Sequence, residues 1–144
     1  MIRRATAADA PAVAQVHAAA RAGWAFESLS AATDEATWAE RLAGTDTETY
    51  VLERDGAVRG FLSVWGEDAT TGRVLALYVD PAAQGTGVGS ALLDAVAAGR
   101  RTGGDTALVL WTDEANAAAR AFYERRGWRL DQVDGAELRY RLEL

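Results

Sequence analysis

The chain has 144 residues, 49% of them apolar, with 2 prolines and no cysteine. That is enough apolar material for a domain with its own core, and it excludes disulfides and thiolate metal centres. A formal charge of −6 speaks against a nucleic-acid partner, which would need a basic face, and suits a cationic or amine-bearing ligand better.

No run approaches the ~20 apolar residues of a membrane span. Met1-Ile2-Arg3-Arg4 is not followed by a hydrophobic stretch, so neither export nor insertion is expected and the chain reads as cytoplasmic. Ile2 to Arg4 reads as a short strand. Asp9 is placed to cap a helix that runs to about Ala22, with Pro11 at an early position where a missing N–H is tolerated. Val13, Val16, His17, Ala20 and Trp24 recur at helical spacing and give that helix one buried stripe. After an irregular segment from Glu27 to Thr33, a second helix runs from Asp34 to Ala43 with Trp38 and Leu42 on one side.

Tyr50 to Arg54 and Val58 to Trp65 read as strands joined by Asp55-Gly56, the strongest hairpin signal in the chain. Arg73 to Val79 is a further strand, Gly87 to Gly99 a helix, Ala107 to Trp111 a strand, and Asn116 to Arg126 a helix closed by Gly127. Trp128 to Val133 and Leu138 to Leu144 pair about Asp134-Gly135. The order βααβββαβαββ predicts a single α+β domain over residues 1–144, a mixed, mostly antiparallel sheet flanked by helices.

Between Val79 and Ser90 the chain leaves a strand at Pro81, passes Gly85, Gly87 and Gly89, and opens into a helix. Such a loop presents bare backbone N–H groups at the positive end of a helix dipole, a site for a phosphate or pyrophosphate. It matches a dinucleotide turn only weakly: Asp80-Pro81-Ala82-Ala83-Gln84 separate strand from glycine, and Ser90 stands where the third glycine is required. Without Gly-Lys-Ser/Thr it is not a Walker loop.

Gln84-x-x-Gly87-x-Gly89, after Leu77-Tyr78-Val79-Asp80-Pro81, resembles the acyl-CoA pyrophosphate loop of the GNAT superfamily of N-acetyltransferases. Asn116, Ala119, Phe122-Tyr123 and Gly127-Trp128 are similar to that family's Asn-x-x-Ala-x-x-Phe-Tyr-x-x-x-Gly-Phe helix, with Trp for the final Phe. Gly135-Ala136-Glu137-Leu138-Arg139-Tyr140 is also familiar from it. The resemblance covers Arg73 to Leu144 and is only positional over Met1 to Ala43.

The resemblance implies a GNAT-like fold, acetyl-CoA as cosubstrate and no metal. It implies transfer of an acetyl group to a primary amine of a small molecule, amino-acid derivative or peptide, by direct attack in a ternary complex. Gln84, Gly85, Thr86, Gly87, Val88, Gly89 and Ser90 would surround the pyrophosphate. The strand of Leu77, Tyr78 and Val79 would follow the pantetheine arm, one of its N–H groups polarising the acetyl oxygen. Asn116 and Tyr123, about 10.5 Å apart along one helix face, would line the ligand, with Tyr123 as general acid toward the CoA sulfur. Many relatives form homodimers, though no residue here shows it.

Where many relatives carry a Glu, this chain has Arg73. Glu27, Glu67, Asp68 and Glu114 remain as candidate bases, with Glu67 preferred and a water chain as the alternative. His17, the single histidine, reads as a core group or as a substrate or proton-relay residue. Trp24, Phe26 and Trp38 fall in the region that the family uses for its acceptor. Two other readings stay open: a non-catalytic acyl-CoA-binding or sensing domain, and a nucleotide-binding oxidoreductase, against which the two hairpins speak.

Overall fold

The computed structural model describes residues 1–22 and 34–144. Its strands are β1 (Ile2–Arg4), β2 (Thr47–Arg54), β3 (Ala57–Gly66), β4 (Thr71–Val79), β5 (Ala107–Asp113), β6 (Arg129–Asp134) and β7 (Glu137–Glu143). They form one 7-stranded sheet in the order β1-β2-β3-β4-β5-β7-β6. Among the described strands only β4 and β5 pair in parallel. With α1 (Ala10–Arg21), α2 (Glu35–Ala43), α3 (Val88–Thr102) and α4 (Ala117–Arg125), the described elements follow the expected order. Among the described residues no helix is long and apolar enough to cross a membrane.

The β2–β3 hairpin turns where expected. Asp55 and Gly56 both have positive φ, 55° and 75°, the two-residue turn whose twist matches that of the strands. The β6–β7 turn sits one residue later than expected, because Asp134 pairs with Glu137 and leaves Gly135-Ala136 as the loop. Gly135 alone takes a positive φ there, 60°.

Asp9 does not cap α1 through its side chain. Its carboxylate accepts from Arg3 at 2.7 and 2.9 Å and from the Thr6 N–H at 2.8 Å, so it ties β1 to the turn before the helix. The guanidinium beside it holds its pKa below the ordinary carboxylate value.

The sheet has a core on each face. On one, Leu62, Val64 and Val74 meet α3 through Leu92 and Val96, and Tyr140 and Leu110 meet Tyr123 of α4. On the other, Val51 and Phe61 meet Val13 and Val16 of α1 and Trp38 of α2.

One irregularity shapes everything near the loop. β4 pairs with β5 only from Thr71↔Ala107 to Val74↔Leu110. The next residue, Leu75, is a β-bulge, since Val64 faces Val74 while Ser63 faces Ala76, and it is 41% exposed. A bulge bends its strand and ends regular pairing. Beyond it β4 stays with β3, as in Leu62↔Leu77, while β5 stays with β7, as in Asp113↔Glu137, and the sheet opens.

The first residue of α3 seats on β3 at Gly60. A Cβ there would lie 2.6 Å from Val88 Cγ1 and 3.0 Å from the Tyr78 carbonyl oxygen. Gly60→Ala is therefore expected to lower unfolding free energy by about 1–3 kcal/mol, read from the denaturant midpoint; an unchanged midpoint would contradict this packing.

Candidate functional site

The loop after β4 is held by its own chain. Ala83 N–H donates to the Asp80 carbonyl at 2.8 Å, and Asp80 Oδ1 accepts from Ala82 N–H at 3.1 Å. The Thr86 hydroxyl donates to the Ala83 carbonyl and accepts from Arg54 at 2.9 Å, which pins the loop to the end of β2.

Gly85 and Gly87 take left-handed φ values of 76° and 89°, which other residues adopt at about 1–2 kcal/mol. Gly87 is the N-cap residue of α3. The first bond of the helix runs from Ala91 N–H to the Gly87 carbonyl, 3.0 Å. The N–H groups of Gly87, Val88, Gly89 and Ser90 have no acceptor among the described residues. A Ser or Asp at the cap would satisfy one of them; a glycine leaves all to a ligand, at the positive end of the helix.

These donors open into a cleft of about 630 Å³ between β4, the loop and α4, lined by Leu77, Val79, Gln84, Gly89, Phe122 and Tyr123 among others. Its other wall is the free edge of β4. Asp80 N–H donates to the Arg59 carbonyl on β3 at 2.8 Å, and N–H groups alternate along a strand. The Tyr78 N–H thus also faces β3, while those of Leu77 and Val79 point into the gap that β5 has left.

Cations that sequence reading did not single out stand at this cleft. Arg126 lies over the Phe122 ring at 3.8 Å, donates to the Phe122 carbonyl at 3.1 Å and reaches Ser90 Oγ. A guanidinium beside the positive end of a helix is disfavoured unless an anion joins them. The sequence signal was available: Arg126 directly precedes the glycine that closes the helix.

Tyr123 is fixed by the end of α4. Trp128 N–H donates to the Tyr123 carbonyl at 3.1 Å and Gly127 N–H to that of Glu124 at 3.2 Å, with Gly127 at φ 87°. This is a Schellman closure with its usual apolar contact, the Trp128 ring standing 5.6 Å from that of Tyr123. The residue is 9% exposed and lines the cleft. No group among the described residues bonds its hydroxyl. Burial, with Tyr78 nearby, pushes the phenol pKa upward, so it keeps its proton and serves as a donor.

Other expected site residues fall elsewhere. Asn116 caps α4, its Oδ1 accepting from Ala119 N–H at 3.1 Å, and is outside the lining of the cleft; of the expected two-turn stripe only the Tyr123 end reaches it. Glu67 lies near Arg73, 3.8 Å away. The Leu77 end of β4 is four residues further on, about 13 Å at strand rise, so the preferred base is not brought to the site. No carboxylate among the described residues lines the cleft. Trp24, Phe26 and Glu27 lie outside the described residues.

His17 is 3% exposed, its ring 4.7 Å from Tyr78 and 5.5 Å from Trp38. Burial first, then the charges of Arg21 and Arg41, push its pKa down to about 4. It is neutral near pH 7.

A model of the acetyltransferase (GNAT) family matches residues 13–128. A mycothiol acetyltransferase of Beutenbergia cavernae is 40% identical over 74 residues, 51% of this chain and 25% of that protein, so the chain spans about a quarter of that relative's length. The PaiA N-acetyltransferase of Thermoplasma acidophilum, solved in complex with coenzyme A, superposes with TM-score 0.82 at 17% identity over 100% of this chain and 98% of that one. The ribosomal-protein-S18-alanine N-acetyltransferase of Escherichia coli does so with TM-score 0.81 at 24% identity, over 99% and 92%. At these identities the structural likeness concerns the fold.

The His17 pKa has a consequence for stability. Below about pH 6.5 the unfolded chain takes up a proton that the folded one refuses until about pH 4. Its contribution is full above pH 6.5 and lost as pH falls from there toward 4. The denaturant midpoint should drop across that window in the native chain and flatten in His17→Gln; equal slopes would contradict the assignment.

Proposed function

Because the chain belongs to the acetyltransferase (GNAT) family, we propose that it moves an acetyl group from acetyl-CoA to the primary amine of a small molecule, amino-acid derivative or peptide, with both substrates bound together. One observation carries the reading: a single cleft joins the orphan N–H groups of Gly87 to Ser90 to the free edge of β4. The first suits a pyrophosphate and the second an extended amide-bearing arm, and acetyl-CoA has both.

The residues present fit that ligand. The Gly87–Ser90 amides would hold the pyrophosphate, with Arg126 supplying charge beside Ser90. The Leu77 and Val79 backbone would pair with the pantetheine arm as a neighbouring strand does. When bound, acetyl-CoA supplies an activated thioester. A Leu77 or Val79 N–H facing the gap stabilises charge that grows on the acetyl oxygen. Tyr123 holds a proton for the sulfur. With its pKa raised it is a weak acid toward a neutral thioester and gives its hydrogen bond as negative charge develops there.

Without cysteine, no thiol of the chain can carry the acetyl group, so the amine attacks directly. A base from the chain is not needed if the ammonium first loses its proton to water. Arg73, at the position where the resemblance leads one to expect a Glu in many relatives, favours either that route or a domain that binds without catalysis. The unbonded Tyr123 hydroxyl inside the cleft supports catalysis.

Free-thiol release from acetyl-CoA in the presence of an amine panel tests the reading, with calorimetry alongside. Tyr123→Phe is expected to lower kcat about a hundredfold while acetyl-CoA affinity holds; unchanged turnover, with chemistry limiting, would remove its role. Below the acceptor's own pKa, ~8 for an α-amine and ~10.4 for a lysine-type amine, kcat/KM for the acceptor should rise about tenfold per pH unit. Glu67→Gln should leave that profile in place, and a profile that collapsed with it would restore Glu67 as the base.

A further inference from the structure

A second cleft, about 340 Å³, lies on the α1–α2 face of the sheet, and Tyr78 lines it as well as the first. Its floor comes from a change of residue type along three adjacent strands. Val51, Phe61 and Tyr78 form one cross-strand row of bulky side chains; the next row on that face is Thr49, Ser63 and Ala76. The small row leaves space under His17 and Trp38, which close the cleft from α1 and α2. Its volume sits at the low end of small-molecule sites, about 300–1,000 Å³.

The lining holds several hydrogen-bond donors and one guanidinium. Trp38 is 4% exposed, and its indole N–H is buried without a partner among the described residues, which is unfavourable unless a ligand accepts from it. Arg41 stacks over the Trp38 ring at 5.2 Å and has no carboxylate partner among the described residues. Its charge, with that of Arg21, is felt at His17 inside the cleft. The buried Thr49 and Ser63 hydroxyls bond each other at 2.8 Å, which leaves one proton of the pair to donate. Asp46, the carboxylate among the described lining residues, makes no ion pair with Arg41.

We propose that this cleft takes the acceptor, and that the acceptor is a carboxylate-bearing primary amine of amino-acid size, its amine toward Tyr78 and its carboxylate received by Arg41 with the Trp38 indole N–H as second donor. This rests on the acetyltransferase reading above. Arg41 with the neutral donors beside it matches a monoanion that accepts two hydrogen bonds, and Asp46, the lining carboxylate, offers the opposite charge to the amine end. His17, kept neutral, adds no second cation.

The test pairs each standard amino acid with its own carboxamide as acceptor, with acetyl-CoA and free-thiol detection, in the native chain and in Arg41→Gln, Arg41→Lys and Trp38→Phe. The best acid should exceed its amide by about tenfold or more in kcat/KM. Arg41→Gln should erase that preference through the acceptor KM while the calorimetric Kd for acetyl-CoA holds, Arg41→Lys should restore part of it, and Trp38→Phe should weaken it. Amides used as well as acids, a preference that survives Arg41→Gln, or no turnover of any carboxylate-bearing amine by a chain that binds acetyl-CoA would each overturn the proposal alone. A chain that does not bind acetyl-CoA overturns the transferase reading and this one together.

Discussion

The departure of β4 from β5 beyond Val74↔Leu110 is the constraint on which the rest of the site depends. A parallel sheet that continued would have satisfied both strand edges and left no opening. The bulge at Leu75 bends β4 away, and two backbone N–H groups, of Leu77 and Val79, are left facing a gap. Extended backbone without a partner is unfavourable when buried; here it is tolerated because the gap is open to a ligand that can complete the ladder. Tyr78 borders both clefts, so in the proposed reaction the two substrates would meet at one strand.

Electrostatics follows the same logic. The chain carries −6 overall, yet at the α3 N-terminus a dipole end, unpaired N–H groups and Arg126 converge. Local sign, not net charge, is what a ligand would meet here. Gly87 contributes by what it lacks: any capping side chain would compete with the ligand for the donors it leaves bare. Tyr123 comes to the same cleft through a backbone device, the Gly127 closure, with Trp128 packed on its ring. The residues that hold the catalytic candidate are therefore beyond the helix that carries it.

Much of this was legible in the sequence because it depends on local backbone chemistry. Asp55-Gly56, the glycine loop and Gly127 each require a conformation that few residues adopt, so composition reveals them. The bulge at Leu75 was not legible, since Arg73 to Val79 reads as one uninterrupted apolar run and pairing partners are set by distant strands. Asn116 carries a role that helical spacing does not show, its side-chain oxygen capping the helix's own N–H groups. Glu67 misled for a topological reason: the end of β3 lies beside the start of β4, whereas the open edge is at the far end of that strand. Arg41 gave no signal, and Trp38 showed only as an aromatic in the region of the acceptor, because their cleft arises only where three strands place small residues in register.

On the proposed reading, the free edge of β4 and the bare start of α3 bind one ligand together. Amide chemical shifts followed during titration with acetyl-CoA, and separately with NAD, test it most directly. The amides of Leu77, Val79, Gly87, Val88, Gly89 and Ser90 should move as one set, with a common saturation curve, for acetyl-CoA and not for NAD. If only the loop amides moved, or if NAD moved the same set equally, the strand edge would not be part of an acyl-CoA site and the account would be contradicted.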